Sequence, residues 1–305
     1  MSSELRRDSL TGDWVGIAGA RQARPNRPAE ECPFCVGGLE APEPYDVKAF
    51  ANRWPMFAPG DPVELTGEAV PARGASEVVL YSPDHDASLA SLGVSGARRV
   101  VDLWAERSAA LLERPEVEYV LVFENRGRDA GATIPHPHGQ IYGFPFVPPV
   151  PAREAQVAAL EGCPLCREEP GERLVHEEGG WRAWVPFASA YPYGLLLAPD
   201  EHVASLPELD DDGRDGLAAV LVDALGRLDA LFDRPFPYML WIHPGVHLHV
   251  HVAPPRRSAE TLRYIASGEA GSGTLMNPVV PEDAAAALRQ AWMMTSRSSV
   301  SSRTA

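Results

Sequence analysis

Positive charge is scarce in this chain of 305 residues, where 27 Lys and Arg face 42 Asp and Glu for a formal charge of −15. Such a field repels nucleic-acid backbones and acidic membrane faces, so neither is an expected partner. An anionic substrate would need local positive charge, which draws attention to any clustered arginines. Long apolar runs are also missing. No window approaches a membrane span, and the opening MSSELRRDSL lacks the apolar core of a secretion signal, so a soluble cytoplasmic protein is expected. Cysteine is sparse: the four present form two pairs, CPFC at Cys32/Cys35 and CPLC at Cys163/Cys166. In a cytoplasmic chain such pairs are metal knuckles or redox pairs rather than structural disulfides. A redox pair normally opens a helix after a strand, whereas both of these follow polar segments rich in glycine or glutamate, which favours metal.

What is present reads as an α+β chain. Segments 76–82, 117–125, 139–146, 181–187, 193–199, 238–244 and 248–254 mix β-branched and aromatic residues with short polar breaks and predict strands. Helices are predicted over 101–114, with Val101, Leu103, Trp104, Ala109, Leu111 and Leu112 on one face, over 212–232 behind an acidic start, and over 282–294. The 30 prolines and 26 glycines imply long ordered loops, and the tail TSRSSVSSRTA is expected to fray.

Laid in order, the polar landmarks repeat. Residues 32–140 give CxxC, SPDH ending in His85, a helix, a strand and HPHGQ; residues 163–251 give CxxC, APDEH ending in His202, a helix, a strand and HLHVH. The intervals differ (50 against 36 residues from second cysteine to histidine, then 51 against 45) but the order is the same. Two tandem copies of one unit, each an antiparallel sheet with flanking helices, are therefore expected over 1–150 and 151–305.

A structural zinc takes four N or S ligands, and Cys32 and Cys35 supply two, with His85 and His136 the natural third and fourth. His136 and His138 share strand parity, but Pro137 bends the backbone between them, so one ring can hold metal while the other faces a pocket. A histidine oriented by a neighbouring zinc site is a preorganised nucleophile or base. Upstream, FENRGRDAGAT brings Asn125, Gly127 and Gly131 in a loop whose backbone donors suit phosphate oxygens, and Thr133 and Gln140 offer neutral hydrogen bonds to a developing phosphoryl charge.

FENRG, HPHGQ eleven residues past its asparagine, CxxC and SPDH together resemble the galactose-1-phosphate uridylyltransferase family of the histidine-triad superfamily, over nearly the whole chain from LTGDWV to SGE. The resemblance implies two fused histidine-triad-like halves and ping-pong chemistry. UDP-glucose gives its uridylyl group to a histidine, glucose 1-phosphate leaves, and galactose 1-phosphate collects UMP. It implies His138 as nucleophile, Gln140 at the transferred phosphoryl group, Thr133 in the phosphate loop and Asn125 beside the site. It further implies zinc on Cys32, Cys35, His85 and His136, and Phe50, Asn52 and Trp54 at the uridine pocket. Arg21 and Arg24 then reach phosphates, across the interface of a homodimer.

The second copy offers two metal sets. The resemblance implies Glu154, His243, His249 and His251 holding iron or zinc, whereas the repeat points to zinc on Cys163, Cys166, His202 and His247. The sets share no residue. In the family the region after His251 closes over the hexose, which places Arg263 and Glu269 among the substrate contacts. Arg53 stands where an acidic residue commonly meets the ribose hydroxyls. That departure keeps a second activity in view, an ADP-glucose phosphorylase-like transfer to phosphate through the same histidine.

Overall fold

The computed structural model describes residues 3–23 and 31–301, of which 293–301 by backbone alone. In chain order the strands are β1 (Glu4–Arg7), β2 (Trp14–Ile17), β3 (Lys48–Ala51), β4 (Ala69–Pro71), β5 (Ala75–Leu80), β6 (Tyr119–Arg126), β7 (His138–Phe144), β8 (Leu174–Glu178), β9 (Trp181–Trp184), β10 (Leu195–Pro199), β11 (Tyr238–His243) and β12 (His249–Ala253). The helices are α1 (Gly93–Leu112), α2 (Pro149–Glu161), α3 (Asp211–Leu231), α4 (Ser267–Ser272) and α5 (Pro281–Ser301).

Nine strands form one antiparallel sheet in the order β3-β5-β7-β6-β11-β12-β10-β9-β8, and β2-β1-β4 form a small second sheet. From the middle outward the first copy runs β6-β7-β5-β3 and the second β11-β12-β10-β9, the same order twice, so the tandem units are real and lie side by side. They are more intimately joined than two separate sheets. β6 pairs directly with β11, from Tyr238↔Arg126 to Ile242↔Val122, and the ladder runs unbroken through the middle.

One face of the sheet is dry. In α3 the buried positions Leu217, Val220, Leu221, Ala224, Leu225 and Leu228 recur at helical spacing and pack with Val100, Val101 and Trp104 of α1. α3 starts where Asp210 accepts from the Gly213 amide at 2.8 Å, with Asp211 and Asp212 in the first turn favouring the positive helix end. α1 begins eight residues before the predicted start, because Gly96 and Ala97 are buried and let the helix approach the core where no large apolar residue signals it. Its buried stripe takes in Ala105 and Ser108 but not Leu112, which is exposed. α5 continues to Ser301, through residues whose polarity predicts fraying. α2, not predicted, buries only Pro151 and so has no apolar stripe to read.

Beneath the central joint lies a buried acid. Glu124 on β6 is 4% exposed and accepts from the Tyr238 hydroxyl of β11 at 3.1 Å. Burial pushes its carboxyl up to about 7, against the opposing pull of Arg126.

Candidate active site

β7 begins at the second histidine of the motif HPHGQIY, and its alternation sorts the residues that follow. Ile141 is fully buried toward the helices, while His138, Gln140 and Tyr142 share the other face. Between the two polar residues sits Gly139, and a Cβ there would lie 2.1 Å from the Tyr81 hydroxyl and 3.0 Å from the Phe123 carbonyl. The strand thus rests on a fully buried tyrosine, and any side chain would lift it. Gly139→Ala is expected to leave a folded protein whose turnover falls on the order of 100-fold, because a displacement near 1 Å misaligns His138 and Gln140. Unchanged turnover in that variant would mean that β7 has room to spare.

Donor atoms of Cys32, Cys35, His85 and His136 all lie within 4.8 Å of one another. Cys35 Sγ is 3.4 Å from His85 Nδ1 and 3.6 Å from His136 Nδ1. A tetrahedral zinc with ordinary Zn–S and Zn–N bonds separates its S and N ligands by about 3.5 Å, so the set fits the ion. His136 Nε2–H donates to the Ser82 carbonyl at 2.8 Å, which leaves Nδ1 the lone pair a metal requires. Burial lowers the His136 pKa, keeping the ring neutral, and burial with the adjacent Cys32 raises that of Cys35, a repulsion that a bound cation would relieve.

The same carbonyl-to-histidine relay orients the next ring. His138 Nδ1 lies 2.8 Å from the His136 carbonyl, so Nδ1 carries the proton and Nε2 the lone pair. Phe34, inside the CPFC knuckle, packs edge-on against His138 with centroids 5.1 Å apart. Metal knuckle and candidate nucleophile are therefore in direct contact twice, through the backbone of His136 and through the ring of Phe34.

His138 and Gln140 line a cavity of about 360 Å³ together with Phe34, Phe50, Asn52 and Trp54. Asn52 Nδ2 donates to Gln140 Oε1 at 3.3 Å, and Asn52 Oδ1 accepts from the Trp54 amide at 2.9 Å. Asn52 lines the cavity, but it also orients Gln140, whose NH₂ is left to meet a ligand. Arg21 donates to the Tyr142 hydroxyl at 3.0 Å, one step along the open face of β7. Arg24 lies outside the described residues. Asn125 follows two residues after Phe123, which pairs with Gln140. Gly131 closes the next turn at φ +90°, a backbone position that suits glycine, ahead of Thr133. That loop is tied to the second copy by an ion pair of Asp129 with Arg256.

Arg263 and Glu269 form a buried ion pair away from this cavity. The Glu269 carboxylate also accepts from the Ala266 and Met276 amides, at 2.9 and 2.8 Å, so it organises the loop between them. Sequence reasoning overlooked Phe34, Tyr81 and Tyr45, whose hydroxyl lies 2.9 Å from His136 Nε2. The signal for Phe34 lay in its place between the two cysteines; none marked Tyr81.

The second copy repeats the relay. Cys163, Cys166, His202 and His247 assemble, with His247 Nδ1 3.5 Å from both Sγ atoms and His247 Nε2 3.0 Å from the Pro199 carbonyl. His249 Nδ1 donates to the His247 carbonyl at 2.8 Å, as His138 does to His136. The outcome differs beyond that point. His249 and His251, in the places of His138 and Gln140, converge with Glu154 and His243 into a third cluster. Both sets named from the sequence are thus formed at once. Glu154 lies 3.0 Å from His243, while His251 Nε2 is buried with no partner among the described residues, an orphan that a metal would satisfy. Burial raises the Glu154 pKa, but hydrogen bonds from His243 and His249 outweigh it and hold the carboxyl well below its usual range. A larger, mainly apolar cavity of about 740 Å³ adjoins His249. There His251 stands in the place of Gln140 and no neutral amide side chain among the described residues lines the wall, so the smaller cavity is the candidate for the chemistry.

Comparison with known proteins agrees with this geometry. The family model for the N-terminal domain of galactose-1-phosphate uridyl transferase matches residues 37–148, and that for the C-terminal domain matches 166–300. The chain is 38% identical to the galactose-1-phosphate uridylyltransferase of Thermotoga maritima, over 94% of this chain and 98% of that protein. A solved uridylyltransferase structure superposes with a TM-score of 0.85 at 31% identity, covering 96% of this chain and 99% of the other. An ADP-glucose phosphorylase from Arabidopsis thaliana, with bound ADP-glucose, superposes with a TM-score of 0.73 at 25% identity, covering 95% and 98%. With two domain models spanning most of its length and a relative this similar, the chain belongs to the galactose-1-phosphate uridylyltransferase family.

Proposed function

We propose that the protein moves a uridylyl group from UDP-glucose to galactose 1-phosphate through a covalent uridylyl-histidine at His138. The observation that carries the assignment is the His136 carbonyl on His138 Nδ1, which selects the tautomer with its lone pair on Nε2. Nε2 attacks the α-phosphorus, the bond to the leaving phosphate oxygen breaks, and glucose 1-phosphate departs. The ring becomes cationic on acquiring the phosphorus, and its Nδ1–H remains on the carbonyl, which stabilises that charge. Gln140, turned by Asn52, donates its NH₂ to a non-bridging oxygen. Galactose 1-phosphate then attacks the same phosphorus from its phosphate oxygen, and the imidazole leaves as neutral His138.

Labelled UDP-glucose should leave acid-labile label on the protein. Galactose 1-phosphate should discharge it as UDP-galactose, whereas discharge by inorganic phosphate instead would assign the phosphorylase activity. No label at all would refute the covalent route.

Two structural zincs are proposed, one on Cys32, Cys35, His85 and His136 and one on Cys163, Cys166, His202 and His247; when bound, each cross-links a knuckle to a strand. The Glu154 set is the alternative for the second metal: its glutamate and His243 already contact each other, although His251 Nε2 has no partner among the described residues. Cys163→Ser is expected to release one zinc per chain and lower the melting temperature while the label on His138 still forms. Unchanged metal in that variant, with metal lost from Glu154→Ala, would reverse the assignment.

The division into halves at about residue 150 and a cytoplasmic location belong to the same reading. No helix among the described residues is long and apolar enough to cross a membrane. A homodimer completes it, with Arg21 or Arg24 serving the neighbouring subunit. Mixed dimers of His138→Asn and Arg24→Ala chains should then recover part of the activity, and no recovery after confirmed subunit exchange would place each site within one chain.

A further inference from the structure

We propose that Glu40 reads the ribose of the nucleotide, its carboxylate accepting from the 2′- and 3′-hydroxyls, and that Arg53 holds it in position. The inference rests on the uridylyl-transfer reading and adds the residue that selects a ribonucleotide. A nucleotide with its α-phosphorus at His138 places its ribose next along the cavity and its base beyond. The walls there are largely aromatic and apolar, which suits a base and offers few side-chain acceptors to two hydroxyl donors. A carboxylate, with two oxygens and no proton to donate, is the side chain that meets a vicinal diol, and dinucleotide-binding folds read ribose in this way.

Among the described residues only two carboxylates line the cavity, Glu31 and Glu40. Glu31 is exposed. Glu40 is held at three points. Its amide donates to the Pro33 carbonyl at 2.9 Å, and its carbonyl accepts from Lys48 Nζ at 2.7 Å. Its Oε1 is 2.9 Å from Arg53 Nε, with the glutamate side chain 19% exposed. Lys48 is the sole lysine of the chain, and it is used to pin this backbone. The turn that delivers Glu40 is equally constrained. A Cβ on Gly38 would lie 2.6 to 2.8 Å from the carbonyls of Cys32, Pro33 and Cys35, so the chain folds back tightly over the metal knuckle.

Stability does not account for the arrangement, since an ion pair whose arginine is half exposed contributes little. Arg53 itself cannot accept a hydroxyl proton. Its ion pair occupies one oxygen of Glu40 and leaves the other to the ligand. Arg53 is therefore a positioning residue, and Glu40 the one that touches substrate.

The test is discrimination between ribose and deoxyribose. Binding of UDP and 2′-deoxy-UDP to the full-length protein is measured by calorimetry, and kcat/KM is measured with UDP-glucose and 2′-deoxy-UDP-glucose. The wild type should prefer the ribonucleotide by about tenfold or more. In E40A that preference should collapse toward unity, through weaker handling of the ribonucleotide alone. E40Q should retain part of it, and R53A should fall between wild type and E40A. A purely structural role would depress both substrates equally and leave the ratio unchanged, which would overturn the proposal, as would a wild type with no preference. A Glu40-dependent preference for UDP in a protein that forms no uridylyl adduct would instead refute the transfer reading and leave this inference standing.

Discussion

Replacing His138 with asparagine should abolish the covalent uridylyl adduct and lower turnover by at least about 10⁴-fold, while leaving metal content and thermal unfolding unchanged. Asparagine is the informative substitution because its amide can still donate to the His136 carbonyl that now receives Nδ1–H at 2.8 Å. The strand keeps its bond, and only the attacking lone pair is lost. Metal should stay because its candidate ligands, Cys32, Cys35, His85 and His136, do not include the substituted residue. The measurement is mass spectrometry of protein quenched after mixing with UDP-glucose, alongside metal analysis. Normal turnover in this variant would remove His138 from the chemistry altogether.

Cys32→Ser should have the second large effect, and on two quantities together. The metal is expected to leave the first site, and several kcal/mol of stability should go with it, out of the roughly 5–15 kcal/mol typical of a folded domain. Activity should fall as well, although no ligand touches the reacting phosphorus. The cause is the contact described above: His136 supplies both a candidate metal ligand and the carbonyl that orients His138, and Phe34 of the same knuckle packs on the His138 ring. Chelation of the wild-type protein should reproduce the phenotype, and restored zinc should reverse it. Full activity in wild-type protein that contains no zinc would refute the site.

Much of this was legible from residue order. The repeated landmarks announce two tandem copies of one unit, and the bend at Pro137 separates a metal-facing His136 from a cavity-facing His138 of the same strand parity. Of the two ligand sets of the second copy, the one with cysteines was readable from the repeat, and the one with Glu154 came from the family resemblance. Three features were not. α2 shows no amphipathic stripe because it buries a single proline. The support of Gly139 by Tyr81 joins residues far apart in sequence, and a glycine inside a motif does not say what presses against it. The Arg53–Glu40 pair was half visible. An arginine stood out where a carboxylate was expected, but only the folded knuckle shows that the carboxylate approaches from position 40.

The unbroken ladder through β6 and β11 also sets a hazard during synthesis. β6 leaves the ribosome about 120 residues before β11 does, so at roughly 5–20 residues per second its outer edge waits on the order of 6–24 s without a partner. An unpaired edge rich in apolar residues invites pairing with another chain. Glu124 lies on that waiting strand, opposite the future Leu240. While still in water its carboxylate is charged and discourages the wrong neighbour; once β11 docks and Tyr238 covers it, burial favours the neutral acid. A residue that looks like an uneconomical choice for a finished core is, in the growing chain, a guard on an open edge.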